Sequence, residues 1–157
     1  MGDNLMWLIN HKFEGRKIIF WGSNSHIFKN YPEIGIYNKY SGNRDTTNTG
    51  TYIHEFLGED LYILGFTSYN GKAGRLYSET YNIDEPPRNH FESWIYDTGL
   101  PYAFVNFANS PFIGETERKF FMKTITHKHS YGNWFNLYDG LFYIEKMYSC
   151  EHTNDEL

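Results

Sequence analysis

Trp21-Gly22-Ser23-Asn24-Ser25-His26-Ile27 carries the side chains of this chain best suited to chemistry. Histidine changes charge near neutral pH, so His26 can serve as base, acid or hydrogen-bond donor. Asn24 offers a neutral amide donor of the kind that stabilises a developing oxyanion. Ser23 and Ser25 beside His26 raise a nucleophile reading. No Gly-x-Ser-x-Gly elbow frames them, so local capping is the better account. The structural alternative for the whole stretch is a loop after a strand, tied down by Asn24 and His26. Further along, Tyr69 and Asn70 lie by Gly71 and are candidates for substrate contact or for loop packing.

Other constellations are weaker. His127 and His129 share a side if their segment is extended, giving a two-nitrogen edge for a metal. No cysteine lies nearby and no third ligand is defined, so neither a metal nor a cofactor is expected. Glu115 and Glu117 stand beside Arg118 and Lys119, which reads as a charged surface. Gly71 and Gly74 lack the spacing of a phosphate-binding loop.

The elements that must position these residues follow from apolar patterning. Lys17-Ile18-Ile19-Phe20-Trp21 is an unbroken run of strand length, which suggests a strand covered on both faces. Leu61 to Phe66, Ala103 to Phe107 and Gly140 to Ile144 read as further strands. Leu5, Leu8 and Ile9 recur at helical spacing, predicting a helix near 2–9 that starts at or before Met1. Asn48 or Thr49 caps a second helix with Tyr52, Ile53, Phe56 and Leu57 on one face, ending by Gly58. Phe91, Trp94 and Ile95 mark a third near 89–98. The stretch from Phe28 to Thr49 has no usable period and reads as a long loop. Tyr69 to Glu79 suggests a loop or hairpin, and the segment between the last two strands is left unassigned. Strands alternating with helices predict one α/β domain, its sheet mostly parallel and flanked by helices.

Composition narrows the function. The 157 residues carry 14 basic and 19 acidic side chains, a formal charge of −5. No stretch concentrates Lys and Arg, so no nucleic-acid or anionic-lipid partner is expected. No apolar run approaches the roughly 20 residues of a membrane span. Aromatics make up 20% of the chain, half of its 40% apolar content, and such rings line clefts as readily as they fill cores. The lone Cys150 and the absence of a basic leader before Leu5 point to a cytoplasmic protein.

Taken in order, these motifs resemble the erythromycin esterase family. Lys17 to Ile27 is similar to its signature strand, which runs into Trp-Ala-His-Asn-x-His. Leu61 to Phe66 with Tyr69-Asn70-Gly71 is similar to its Gly-Phe strand and following loop. Leu137-Tyr138-Asp139-Gly140-Leu141-Phe142-Tyr143 resembles its Phe-Asp-Gly-x-x-Tyr ending, and Met1 to Leu8 its preceding helix. The resemblance implies the C-terminal half of a longer α/β fold and hydrolysis of a small-molecule ester by His-activated water. In the family the principal catalytic His and its Glu lie in an N-terminal Gly-Glu-x-x-His stretch, which does not occur here. Of the two histidines that flank the signature Asn, His26 keeps the second; Ser23 holds the place of the first. Two expectations follow: a hydrolase fragment that is inactive alone, or a non-catalytic binding remnant of the fold. In either case the sheet exposes apolar surface, and the chain self-associates or pairs with an N-terminal segment.

Overall fold

The structure is a computed structural model that describes residues 1–30, 47–74, 79–107 and 118–150. Helix α1, Gly2–Trp7, continues as a π-helical turn over Leu8–Lys12. A four-residue helix α2, Asn24–Ile27, precedes α3, Thr49–Leu57. Strand β1, Leu64–Ala73, turns into β2, Tyr81–Ile83, and α4 follows at Phe91–Tyr96. The rest is β3 (Tyr102–Asn106), β4 (Phe120–Met122), β5 (Ser130–Gly132) and β6 (Gly140–Met147). One sheet runs β2-β1-β6-β3, and β4 and β5 form a separate ribbon.

The α/β class stands, with a correction to the pairing. Among the described strands of this sheet only β1 and β6 are parallel, in register from Leu64 with Gly140 to Gly71 with Met147. β2 and β3 join antiparallel, so the sheet is mixed rather than mostly parallel. Unbroken apolarity signals a strand buried on both faces, and it does not encode the direction of the neighbour.

The run 17–21 is a second correction: it forms no strand. Ile19 is 94% and Trp21 79% exposed. Successive residues of a strand turn their backbone groups to alternate edges, so Phe66 faces away from β6. There its N–H and C=O both bond to the side-chain amide of Asn24. That amide stands in for a backbone partner on the edge of β1 opposite β6, where the N-terminal half of the strand has no ladder among the described residues. Trp21 only leans on Phe66, with ring centroids 5.5 Å apart.

The helices fall where their caps put them. Asn48 accepts from Thr51 N at 2.8 Å, closing the α3 N-terminus as the capping residue should. Gly58, at φ +52°, ends it in a backbone region that favours glycine.

Register assigns the two faces of the sheet. Gly65, Thr67, Leu141 and Tyr143 point to the face where α4, the β4–β5 ribbon and the 3-10 turn Trp134–Asn136 pack. Phe28, Phe91, Met122, Trp134, Leu137 and Leu141 are among the buried residues of that core. Gly65 is required for close approach: a Cβ there would meet the Tyr138 ring at 2.8 Å. The opposite face carries Leu64, Phe66, Phe142, Ile144 and Phe104, and Phe104 is 53% exposed. Leu64, Phe66, Phe142 and Ile144 are half-buried, so among the described residues this apolar, aromatic face is only partly covered.

Asp139 explains one sequence motif. Its Oδ2 accepts from Ile63 N at 2.7 Å, its Oδ1 accepts from Lys29 Nζ, and its own N–H donates to Ile63 O at 2.9 Å. The residue thus clasps the starts of β1 and β6 together and ties in Lys29. Asp139→Ala leaves a backbone donor and a mostly buried ammonium without a partner. A loss of about 2 kcal/mol in urea unfolding is expected. A loss below roughly 0.5 kcal/mol, the range of an ordinary surface substitution, would show the clasp to be ornamental.

Candidate functional site

Asn24 is the best-anchored side chain of the signature stretch. Its Oδ1 accepts from Phe66 N at 3.1 Å, while Nδ2 donates to Phe66 O at 2.5 Å and Thr124 O at 2.7 Å. Both amide protons are therefore engaged with backbone, and none remains for a substrate oxyanion. Asn24 opens α2, and the same short turn presents His26 on the surface. His26 has no hydrogen-bond partner among the described residues; its backbone N–H donates to Ser23 O at 2.8 Å. Ser23 is exposed, and its hydroxyl lies 3.1 Å from that of Ser25. Helix α3 backs this turn: Asn48 Nδ2 donates to Ser25 O at 3.3 Å, and Thr51 Oγ1 to Phe28 O at 3.4 Å.

Tyr69 and Asn70 lie apart from that turn. They stand three and four residues beyond Phe66 on β1, roughly 10–13 Å along the strand. Among the described residues no hydrogen bond or ring contact joins them to Asn24 or His26. Tyr69 stacks on Tyr96 at 4.0 Å, and Asn70 Nδ2 donates to Glu85 Oε1 at 3.1 Å. Burial, and then the charge of Glu85, holds the Tyr69 phenol above its ordinary pKa. Both thus belong to strand β1 rather than to a glycine loop, Tyr69 packed against α4 and Asn70 bonded to Glu85.

A buried polar cluster escaped the sequence reading. Glu92, 0% exposed, sits in the first turn of α4. Its Oε1 accepts from Thr67 Oγ1 at 2.5 Å and from Lys123 N at 2.7 Å. Burial raises its carboxyl pKa, opposed by these two bonds. Lys123, also buried, donates from Nζ to Tyr69 O at 2.8 Å and Asp84 O at 2.5 Å. Burial lowers the pKa of its ammonium, against the pull of Glu92 and Asp84. The available signal was a lone Glu beside an apolar helical stripe, and such residues usually face water.

His127 and His129 take up different partners. His127 Nδ1 pairs with Tyr81 OH at 2.9 Å, while His129 Nδ1 lies 2.7 Å from Nε2 of buried His90. They line a cleft of about 410 Å³ with Asn82, Asp84 and Lys128, and Thr126 and His127 both hold positive φ at its rim. Among the described residues no group of three potential metal ligands comes together. Glu115 and Glu117 lie outside the described residues.

The His90–His129 contact needs one ring to donate and the other to accept. Asn89 Oδ1 lies 3.1 Å from His90 Nδ1. In the neutral tautomer in which Nδ1 carries the proton, His90 donates there and accepts from His129 at Nε2. Burial first, then His129 and Lys123, lower the His90 pKa below 6.5. The unfolded chain therefore takes up this proton more readily than the folded one. The resulting stability is complete above pH 6.5 and is lost as pH falls from there through the folded value. Glu92 acts in the opposite sense, so the term is isolated by comparing wild type with His90→Gln. The urea midpoint should drop more between pH 7.5 and 5.5 in wild type; equal drops would contradict this assignment.

Comparison with known proteins now decides the family. A family model described as erythromycin esterase matches residues 1–147. The chain belongs to the erythromycin esterase family. Erythromycin esterase type II of Escherichia coli is 28% identical over 121 residues, covering 71% of this chain and 27% of that protein. A solved structure from Bacillus cereus matches with a TM-score of 0.69 at 16% identity, covering 92% of this chain. A solved succinoglycan biosynthesis protein matches at 0.64 and 17% identity over the same share. At such identities the two structures show the fold alone. This chain spans 36% of each of them and about a quarter of the curated relative. It therefore corresponds to a segment of the erythromycin esterase fold, nearer a third than the half expected.

Proposed function

We propose that this chain is the C-terminal segment of a carboxylic-ester hydrolase in which His26 faces the substrate. The observation that carries the reading is Asn24: three hydrogen bonds fix the start of α2, and that helix mounts an exposed histidine whose side chain has no hydrogen-bond partner among the described residues. In the reaction water adds to the ester carbonyl, a base removes its proton, and the tetrahedral oxyanion collapses to acid and alcohol. His26 donates to that oxyanion or orients the ester, with Ser23 as a hydroxyl neighbour and Asn24 as anchor. Tyr69 and Asn70 flank the substrate path from β1. The base is supplied by the part of the family fold that this chain does not match. The name of the Escherichia coli relative makes a macrolide the first substrate to try, and with it a role in antibiotic resistance. The exposed thiol of Cys150 supports a cytoplasmic setting.

The partly covered face bearing Phe66, Phe104 and Phe142 is where the rest of the fold packs. Without that cover the chain associates with itself through the same face. Ser23, at the position of a family histidine, favours a second reading, a binding remnant without turnover.

The test is chromogenic ester and macrolide hydrolysis by the chain alone and by the chain joined to the N-terminal two-thirds of the Escherichia coli relative. The chain alone should not exceed buffer. The joined protein should turn over, and His26→Ala should lower its kcat on the order of 10²-fold. Turnover by the chain alone that vanishes in His26→Ala would overturn its incompleteness. Joined protein that binds ester without hydrolysis would favour the remnant.

A further inference from the structure

We infer that Glu92 is a positioning residue for the His26 turn, acting through Thr67, Lys123 and Asn24. The inference rests on the reading of His26 given above and deepens it. Glu92 Oε1 holds two segments at once, β1 at Thr67 and the chain after β4 at Lys123. The residue next to each is a partner of Asn24: Phe66 precedes Thr67, and Thr124 follows Lys123. One buried oxygen therefore fixes the separation between the two carbonyls that Asn24 Nδ2 must reach simultaneously. Asn24 in turn sets the first residue of α2, and His26 follows two residues later.

The pair at Lys123 closes the frame from its other end. Its Nζ bonds Tyr69 O on β1 and Asp84 O just after β2, so this segment is tied to both strands of the hairpin. Glu92 is inaccessible to any substrate at 0% exposure, and an acidic side chain buried there has a cost that packing alone does not explain. Fixing a second layer of hydrogen bonds under the candidate site accounts for it. The bond-making atom is Oε1, an acceptor that glutamine also has and leucine lacks. Since burial favours the uncharged carboxyl, glutamine is also its closest mimic.

The experiment reads solvent exchange of the Asn24 side-chain amide by NMR in the full chain. In Glu92→Leu that exchange should accelerate about tenfold, the loss of roughly one net hydrogen bond. The Phe142 amide, in the β1–β6–β3 ladder, should keep its wild-type rate, which separates repositioning from general loosening. Glu92→Gln should rescue the Asn24 rate. Should Glu92→Leu fail to fold, Thr67→Val removes one of the two bonds and should give a smaller acceleration of the same kind. Asn24 exchange unchanged in a folded Glu92→Leu or in Thr67→Val overturns the inference, as does equal acceleration at Phe142. In the joined protein, Glu92→Leu should lower kcat with little change in KM, and Glu92→Gln should restore it. Asn24 loosened without any effect on turnover would leave the coupling standing and sink the role of His26 instead.

Discussion

Asn24→Asp is expected to destabilise the chain by about 4 kcal/mol near neutral pH, and Asn24→Ala by about 3 kcal/mol. Alanine leaves Phe66 N, Phe66 O and Thr124 O without the amide that satisfies them. These groups are part-buried, and orphaned backbone groups cost more than the bond itself was worth. Aspartate is worse despite its matching shape. It places a charged oxygen where Nδ2 now donates, 2.5 and 2.7 Å from two carbonyl oxygens. Acidification should restore part of the Asp variant, because the protonated acid donates once, whereas the Ala variant should not recover. Urea unfolding at two pH values measures both. Losses below about 1 kcal/mol in each would mean that the edge of β1 is satisfied by other means.

Gly50→Ala should cost about 3 kcal/mol, opposite in sign to the gain of about 1 kcal/mol usual inside a helix. A Cβ at position 50 would lie 1.7 Å from Ile27 O and 2.6 Å from Phe28 O. Those are backbone atoms with no rotamer to change. Helix α3 would have to leave the chain after α2, breaking the Asn48–Ser25 and Thr51–Phe28 bonds. Thermal melting reads the outcome, and a raised Tm would show that the two segments part without penalty. The same substitution should displace the turn that carries His26.

Much of this architecture was legible in the residues. The helix at Thr49–Leu57 follows from Asn48, Gly58 and the apolar stripe between them, and α4 from Phe91, Trp94 and Ile95. Strands β3 and β6 lie where their apolar runs stand, and the suspected hairpin after Tyr69 matches the antiparallel pairing of β1 with β2. The run 17–21 misled because an apolar stretch of strand length says nothing about whether a neighbour offers a free edge. Asn24, a side chain, occupied that edge. At the site, the residues single out the Asn24–His26 stretch as a candidate, and the anchoring bonds of Asn24 are not legible in them. Whether an amide faces substrate or backbone depends on Phe66 and Thr124, which lie 42 and 100 residues away. Glu92 was hidden for a related reason. Its partners, Thr67 and Lys123, carry no spacing signal relative to it.

The clasp at Asp139 also governs the order in which the molecule can form. Ile63 and Asp139 are 76 residues apart, and the parallel ladder they open has no short connection. The β1–β2 and β4–β5 ribbons close over short distances and can appear early. The central pair must first close a long loop, whose entropy is lost before any contact repays it. A nascent chain therefore displays β1 with its long edge vacant until β6 has left the ribosome. During that interval the backbone groups of Gly65 and Thr67, which face β6 in the finished sheet, are open to other strands. Haste at that step, more than any weakness of the finished core, is what this topology punishes.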